Sequence, residues 1–342
     1  MRIGVDVMGG DHAPGETMKG CVAALEELTQ DDTLVLIGPE ATIRDYLSEM
    51  GCTDGRIEII DAPDIIGMDE QPARAVRAKT DSSIVRMMVL GSHKAENRLD
   101  VVLSAGNTGA CVAAAIMHMK RLKGVHRPGI AVTIPAFHGP LVLCDAGANP
   151  EPTAHHLWQY GVMADVLARE VTGIAEPRVA LMNIGSEEAK GSEVVKQARD
   201  MLRATPGLNY TGFIEGRDLF AGVADVIITD GFVGNTVLKM AEGMAKSLFQ
   251  AIAGEIFEHD PNLAVQFEPI VKQIYAKNDY HEHGGAPLLG VNGVMMIAHG
   301  SSESRTIKNA IAKTLEYVHT HVNDAIVERL AKVEAIEQGE PA

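Results

Sequence analysis

The amino-acid sequence predicts an α/β protein with a mostly parallel sheet, and three observations lead to this. Short apolar runs rich in β-branched residues recur along the 342 residues, and each stops at Gly, Asp or Asn. Amphipathic helical periodicity follows most of these runs, as over residues 154–170 and 193–202. The composition, with 46% hydrophobic and 22% charged residues, is typical of a globular protein with a large core. Strands that alternate with helices in this way favour a parallel sheet buried on both faces.

The predicted strands share one kind of ending. They are expected within residues 2–11, 33–42, 56–64, 100–109, 141–151, 178–188 and 225–236. Ligands of open parallel sheets collect at the carboxyl ends of the strands, where this chain concentrates Gly, Asn and Asp. The loops are therefore expected to converge on one crevice, although these residues also simply end strands and cap helices. None of the loops matches the dinucleotide or nucleoside triphosphate glycine motifs.

After Gly234 the pattern changes to long helical periodicity. Apolar residues repeat every four positions from Met240 to Ile256, and a second amphipathic stretch follows a turn at residues 258–262. We predict a helical hairpin over residues 241–275, inserted in a single α/β domain of residues 1–325. The hairpin serves either as a dimer contact or ordinary core, or as a tip that touches a membrane. Residues 326–342, with the acidic ending EAIEQGEPA, are expected to fray.

The net charge and the cysteines indicate which kinds of molecule the protein binds and in which cell compartment it is found. The formal net charge of -16 argues against nucleic-acid binding, because phosphate backbones are held by summed positive charge. The four cysteines lie far apart without metal-type spacing, and no signal peptide or membrane-spanning apolar run is recognisable. Reduced thiols and a cytoplasmic protein are expected, with any membrane contact peripheral.

The stretch SAGNTG, residues 104–109, joins a strand to an apolar helix through small residues. Small residues let a ligand approach the backbone, and the start of a helix offers unpaired N–H groups and a positive dipole end. The backbone N–H groups of residues 106–109, together with the side chains of Asn107 and Thr108, are therefore predicted to hold a small anion.

Seven ordered motifs resemble one enzyme family. They are DVMGGDHAP, SAGNTGA, DAGAN, NIGSEEAKG, GFIEGRD, DGFVGN and GGAPLLGV, which start at residues 6, 104, 145, 183, 212, 230 and 284. Collinear from Met1 to about Tyr317, they resemble the bacterial acyl carrier protein:phosphate acyltransferases of phospholipid synthesis, the PlsX family. Mild departures at Ala146, Ser186 and His283 blur any statement about acyl-chain preference.

The resemblance implies a fold, a reaction and partners. The fold would be a three-layer α/β/α Rossmann-like one, related to phosphotransacetylases and isopropylmalate dehydrogenases. The protein would be a homodimer that converts fatty acyl carrier protein and inorganic phosphate into acyl phosphate and free carrier protein, without a cofactor or metal. A membrane glycerol-3-phosphate acyltransferase is the expected consumer of the product.

The resemblance also implies site residues. Lys190 and Asn235 match residues that the family uses catalytically, and would steady phosphate and the developing oxyanion. The expected phosphate- or substrate-binding residues are Asp6, Gly9, Gly10, Ser104, Gly106, Asn107, Thr108, Gly109, Asp145, Asn149, Asn183, Asp230, Gly231, Gly234, Gly284, Gly285 and His299. The alternative for His299 is a histidine packed at the end of a strand.

Direct attack by phosphate is expected, rather than a covalent acyl-enzyme route or a metal-assisted one. Cys111 and Cys144 lie beside motifs, but neither has a base readable from the sequence, and both are expected to be structural. The histidines at 281 and 283 and the pair at 155–156 lack a full ligand set in a known spacing, so no metal is expected.

An acidic carrier protein would need a local basic surface on this acidic chain. The candidates are residues 74–86, with Arg74, Arg77, Lys79 and Arg86, and residues 120–127, with Lys120, Arg121, Lys123 and Arg127. Two rival functions stay open: an NAD(P)-dependent dehydrogenase on a similar fold, and a non-enzymatic anion-binding scaffold on membranes.

Overall fold

The computed structural model describes residues 1–136, 138–259, 261–278 and 284–337. Its strands are β1 (Arg2–Asp6), β2 (Thr33–Gly38), β3 (Ile57–Asp61), β4 (Val101–Ser104), β5 (Gly129–Ala136), β6 (Gly139–Cys144), β7 (Val179–Met182), β8 (Tyr210–Ile214), β9 (Val226–Ile228), β10 (Ala286–Leu289) and β11 (Val294–Ile297). They form one sheet in the order β3-β2-β1-β4-β11-β10-β5-β6-β9-β7-β8.

Helices cover both faces of this sheet. They are α1 (Gly15–Ala23), α2 (Glu40–Glu49), α3 (Pro72–Ala78), α4 (Ser83–Leu90), α5 (Thr108–Ala114), α6 (Ala154–Leu167), α7 (Glu193–Ala204), α8 (Gly231–His259), α9 (Pro261–Asn278), α10 (Ser304–His319) and α11 (Val322–Glu337). One apolar cluster spans both halves of the sheet on one face, and two further clusters lie on the opposite face, beneath α6 with α11 and beneath α1 with α10. The predicted α/β class with a mostly parallel sheet and three layers is confirmed.

The two halves of the sheet run in opposite directions. Strands β3, β2, β1, β4 and β11 are mutually parallel, and so are β6, β9, β7 and β8. Between these halves β10 pairs antiparallel with β11 and β5, and β5 pairs antiparallel with β6. The direction of the strands therefore reverses across the central pair β10–β5, which the local apolar runs do not reveal.

The strand register brings the carboxyl ends of the two halves to nearly the same level. Ser104, the end of β4, pairs with Ile297, and Ile297 pairs with Ala286 of β10. From the other half, Cys144 at the end of β6 pairs with Ala131 of β5. The loops that leave the two halves therefore meet beside β10 and β5, in the middle of the sheet.

The predicted frayed segment at 326–342 is wrong for residues 326–337, which belong to α11. Ile326, Leu330 and Val333 are at most 1% exposed. Their spacing places them on one face of the helix, which packs against α6. Burial of this apolar face outweighs the acidic character of the segment. Residues 338–342 lie outside the described residues.

Two long helices, α8 and α9, occupy the region of the predicted hairpin. Helix α8 begins at Gly231, ten residues before the predicted start at 241, and several of its apolar side chains face solvent, among them Met240, Met244, Leu248 and Phe257. A protruding hairpin, with a dimer or membrane contact, stays a prediction. In the part of the chain that the structure describes, no helix is both long and apolar enough to span a bilayer.

Candidate active site

A cavity of about 750 Å³ lies where the loops of the two halves meet. The first half contributes Asp11, Met68, Thr108, His299 and Gly300, and the second half contributes Ala146, Gly147, Asn235, Leu238, Lys239 and Glu242. Gly285, Ala286, Ile130 and Val132 of the central strands and their flanks line it as well. Of the residues predicted for the site, Thr108, Asn235, Gly285 and His299 thus line one cavity.

The loop after β4 is tied to the loop after β1 by buried hydrogen bonds. The Ser104 hydroxyl donates to Asp6 Oδ2 at 2.7 Å and accepts from the backbone N–H of Gly106 at 3.0 Å. Desolvation raises the pKa of the buried Asp6 carboxyl, against hydrogen bonds from Ser83, Ser104 and the backbone that lower it. A Cβ on Gly9 would lie 2.7 Å from Asp6 Oδ2, so glycine is needed where the loops touch. The Asp6 and Ser104 side chains thus position the loops.

The side chain of Asn107 caps α5 and holds a neighbouring loop. Its Oδ1 accepts from the backbone N–H of Ala110 at 3.0 Å. Its Nδ2 lies 3.1–3.2 Å from the backbone carbonyls of Gly67, Met68 and Glu70, to which it donates. The amide of Asn107 is therefore engaged by the protein, unlike the direct contact with phosphate that the sequence suggests.

Fewer groups at the start of α5 are open to an anion than the sequence predicts. Ser104 accepts the N–H of Gly106, whereas the N–H groups of Thr108 and Gly109 have no hydrogen-bond partner among the described residues. A Cβ on Gly109 would lie 2.6 Å from Pro72, so protein packing also explains this glycine. The predicted anion cradle is thereby confined to the first turn of α5, where Thr108 reaches the cavity.

The loop after β6 is held by the carboxylate of Asp145. Asp145 Oδ1 accepts from the backbone N–H groups of Ile130, Gly147 and Ala148 at 2.9–3.2 Å, and Oδ2 accepts from that of Asn149 at 2.6 Å. Burial raises the pKa of Asp145, while these hydrogen bonds lower it. The Asn149 amide donates to Pro128 O and Tyr160 Oη, both at 2.7 Å. Both side chains shape the loop from within.

The start of α8 is pressed against this loop. The backbone N–H of Gly231 donates to Asn149 O at 2.8 Å, and that of Val233 donates to Asp230 Oδ1 at 2.8 Å. A Cβ on Gly234 would lie 2.0 Å from the carbonyl oxygen of Asp145, so any other residue would force the helix away. This contact fixes the first turns of α8, and with them Asn235 at the cavity.

Lys190 lies in the loop after β7, and its side chain is exposed. The Asn183 amide donates to the carbonyls of Gly185 at 3.1 Å and Lys190 at 3.2 Å, and so shapes this loop. Strand β7 lies next to β9, which leads into α8, so Lys190 and Asn235 follow neighbouring strands. Lys190 is not among the described residues that line the cavity, and its catalytic role stays a prediction.

The remaining predicted glycines pack against the segments around β11 and α10. Gly10, with a φ of +115°, lies against the carbonyl of Gly300, and a Cβ on Gly284 would lie 2.5 Å from Asn309 O. Among the cavity residues missed by sequence reasoning, Lys239 is the most informative. Its Nζ lies 3.0 Å from His299 Nε2. Its position four residues after Asn235 in a helix was the available signal.

Cysteine thiols and histidines near the motifs are accounted for by packing. Cys111 and Cys144 are fully buried, and burial raises the pKa of Cys111 to about 12 and that of Cys144 well above its usual value. His155 stacks on His126 with ring centroids 4.3 Å apart, and His156 completes the capping box of α6. The described residues contain no group of three or more potential metal ligands, and residues 279–283, with the other histidine pair, lie outside them.

Comparisons with known proteins agree with these motifs. The sequence model of a family described as "Fatty acid synthesis protein" matches residues 1–325. The phosphate acyltransferase of Heliobacterium modesticaldum is 44% identical over 340 residues, which cover 98% of this chain and 100% of that protein. The phosphate acyltransferase of Dictyoglomus thermophilum is 40% identical over 336 residues, 97% of this chain and 98% of that protein.

A solved structure of a phosphotransacetylase from Streptococcus pyogenes has a TM-score of 0.60 at 16% identity, covering 93% of this chain and 94% of that one. Likeness at this identity concerns the fold alone. The family match and the nearly full-length relatives give the assignment. The chain belongs to the fatty acid synthesis protein family, which is the PlsX family indicated by its motifs.

Proposed function

We propose that this protein transfers a long-chain fatty acyl group from acyl carrier protein to inorganic phosphate. A phosphate oxygen forms a bond to the thioester carbonyl carbon, the C–S bond breaks, and the carrier-protein thiolate leaves and takes up a proton. The single observation that carries the proposal is the cavity that Asn235, Thr108 and His299 line, in a chain that is 44% identical to a phosphate acyltransferase.

Direct attack by phosphate is favoured over an acyl-enzyme intermediate. A nucleophilic cysteine needs a lowered pKa or an adjacent base, whereas burial raises the pKa values of Cys111 and Cys144. The protein's task is then to hold a phosphate and a thioester together and to stabilise the tetrahedral oxyanion.

Asn235 and Lys190 are the proposed catalytic residues. The Asn235 amide would donate to the phosphate or to the oxyanion, and Lys190 would supply positive charge from the loop after β7. The free N–H groups at the start of α5 would bind the phosphate. Five polar side chains would act indirectly, by holding the loops around the cavity in shape: those of Asp6, Ser104, Asn107, Asp145 and Asn149. The predicted glycines would act by letting those loops pack closely.

The apolar end of the cavity is the proposed place for the acyl chain. The cavity extends between α6 and α10, where the apolar Leu167, Val171, Pro287, Met296 and Tyr317 line it beside polar residues such as Thr172, Lys313 and Glu316. Apolar side chains at this end suit a fatty chain, and the polar groups at the loop end suit the reacting centre.

For carrier-protein docking we favour residues 120–127 over residues 74–86. Lys79 pairs with Glu70 at 2.5 Å and Arg86 with Asp81 at 2.8 Å, so carboxylates already compensate half of the latter cluster. In the described part of the chain, no carboxylate pairs with Lys120, Arg121, Lys123 or Arg127. Lys120, Arg121 and Arg127 border a surface cavity of about 590 Å³, and the four cations would complement an acidic carrier protein.

The proposed reaction also implies a cellular location and partner proteins. The protein would act in the cytoplasm as a homodimer and pass acyl phosphate to a membrane glycerol-3-phosphate acyltransferase. The exposed apolar side chains of α8 and α9 would supply the dimer contact or a peripheral membrane contact.

The proposal is tested by incubating the purified protein with palmitoyl carrier protein, with and without phosphate, and trapping acyl phosphate with hydroxylamine. Phosphate-dependent formation of acyl phosphate and free carrier protein is expected. Phosphate binding without acyl transfer would favour the anion-binding scaffold instead, and oxidation of hydroxy acids with NAD or NADP would favour the dehydrogenase.

A further inference from the structure

We propose that Lys239 is a phosphate-binding cation of this active site and that His299 positions it. The inference deepens the proposed function and rests on it. Lys239 follows Asn235 by one helical turn on α8, and both line the cavity. Side chains four residues apart on a helix have Cβ atoms about 6 Å apart, so one tetrahedral anion can contact both.

The contact with His299 joins the two halves of the sheet at this point. Lys239 belongs to the helix after β9, and His299 follows β11. Lys239 Nζ lies 3.0 Å from His299 Nε2, and His299 Nδ1 lies 2.8 Å from Ser301 Oγ. The imidazole thus holds the ammonium group at the cavity from the opposite side.

The hydrogen-bonding groups around His299 leave room for an anion. The backbone N–H of Ser301 points to Nδ1 at 3.3 Å while the Lys239 ammonium faces Nε2, so donors approach both nitrogens. A neutral imidazole has one lone pair and can accept from only one of them. A neutral ring that accepts from Lys239 at Nε2 donates from Nδ1 to Ser301 Oγ, and the other N–H bonds of the Lys239 ammonium group would then donate to a phosphate oxygen.

The charge of Lys239 is also available. Among the described residues, no carboxylate lies within ion-pair distance of its Nζ. An ammonium group that donates to phosphate makes a charge-assisted hydrogen bond, stronger than a neutral one. It would neutralise part of the charge that accumulates when phosphate attacks the carbonyl.

The test compares Lys239→Met and Lys239→Arg with Lys246→Met, which removes an exposed lysine two turns further along α8. Initial rates of acyl phosphate formation are measured over a range of phosphate at fixed palmitoyl carrier protein, and then the reverse. His299→Gln is measured in the same way. The wild-type rate tests the proposed function by itself, and the ratio of variant to wild type tests the role of Lys239.

Loss of the charge is expected to raise the KM for phosphate roughly 10- to 100-fold, with little change in the KM for the carrier protein. Lys239→Arg should recover most of the phosphate affinity, His299→Gln should raise the phosphate KM less than Lys239→Met, and Lys246→Met should match wild type. An unchanged phosphate KM in Lys239→Met, or an arginine variant as weak as the methionine one, would overturn the inference.

Discussion

The hydroxyl of Ser104 donates a 2.7 Å hydrogen bond to the carboxylate of Asp6, and this buried contact joins the ends of two adjacent strands 98 residues apart in the chain. Both groups are removed from solvent, so their hydrogen bonds must come from the protein. This hydrogen bond explains the Asp6 and Ser104 motifs physically, because it sets the shape of the loop that opens onto the cavity.

Ser104→Ala is expected to lower the free energy of unfolding by about 1–3 kcal/mol, because it leaves the buried Asp6 carboxylate and the Gly106 N–H short of a partner. Activity should fall as well, since the loop shifts. Urea denaturation and steady-state rates measure the two effects. Ser48→Ala on the exposed face of α2 is the control, and a Ser104 variant as stable as that control would contradict the role given to the bond.

Lys190→Ala and Asn235→Ala are expected to fold normally and to lose most of their turnover. Both side chains are exposed, so their removal creates no buried unpaired group. Circular dichroism melts and rates of acyl phosphate formation check the prediction. The assignment fails for either residue whose variant keeps full activity.

The rate at which each cysteine thiol reacts should depend on how deeply the thiol is buried, and no cysteine should show the raised reactivity of a catalytic nucleophile. Cys52 is partly exposed, whereas burial raises the pKa values of Cys21 and Cys111 to about 12 and also raises that of Cys144. The thiolate is the reactive form, so at pH 8 the three buried thiols are protonated and shielded. Iodoacetamide should label Cys52 in the folded protein and all four residues only after denaturation, as read by mass spectrometry. Acyl transfer to phosphate should survive the folded-state treatment, and rapid labelling of Cys111 or Cys144 with loss of activity would reopen a covalent route.

Reversal of charge at Lys123 and Arg127 is expected to raise the KM for acyl carrier protein roughly fivefold or more, with a steeper effect at low salt. The matched control reverses Arg74 and Arg77, exposed cations of the other cluster. Kinetics at two ionic strengths separate the outcomes. An effect confined to the control pair would move the docking surface to residues 74–86.

The residue pattern indicates most of the fold, because buried strands and amphipathic helices leave local signals. The reversal between the halves leaves none, since it needs three successive antiparallel pairings, β11–β10, β10–β5 and β5–β6, and β10 and β5 are distant in sequence. The frayed segment was mispredicted because acidic residues mask the apolar face of Ile326, Leu330 and Val333.

The sequence also predicts the site only in part. Motifs identify the loops, but not whether a polar side chain faces a ligand or the protein. Asn107 and Asp145 look like ligand-binding groups in the sequence, and in the fold they bind backbone groups of their own and neighbouring loops. Lys239 stands in no glycine-rich motif, and only the packing of α8 against the loop after β6 brings it to the cavity.

The most direct test of the account is a crystal structure of the protein with bound phosphate. Phosphate is expected in the cavity between the halves of the sheet, within hydrogen-bond distance of the Asn235 amide and of the first-turn N–H groups of α5. Phosphate bound elsewhere on the molecule, with this cavity occupied by other side chains, would contradict it.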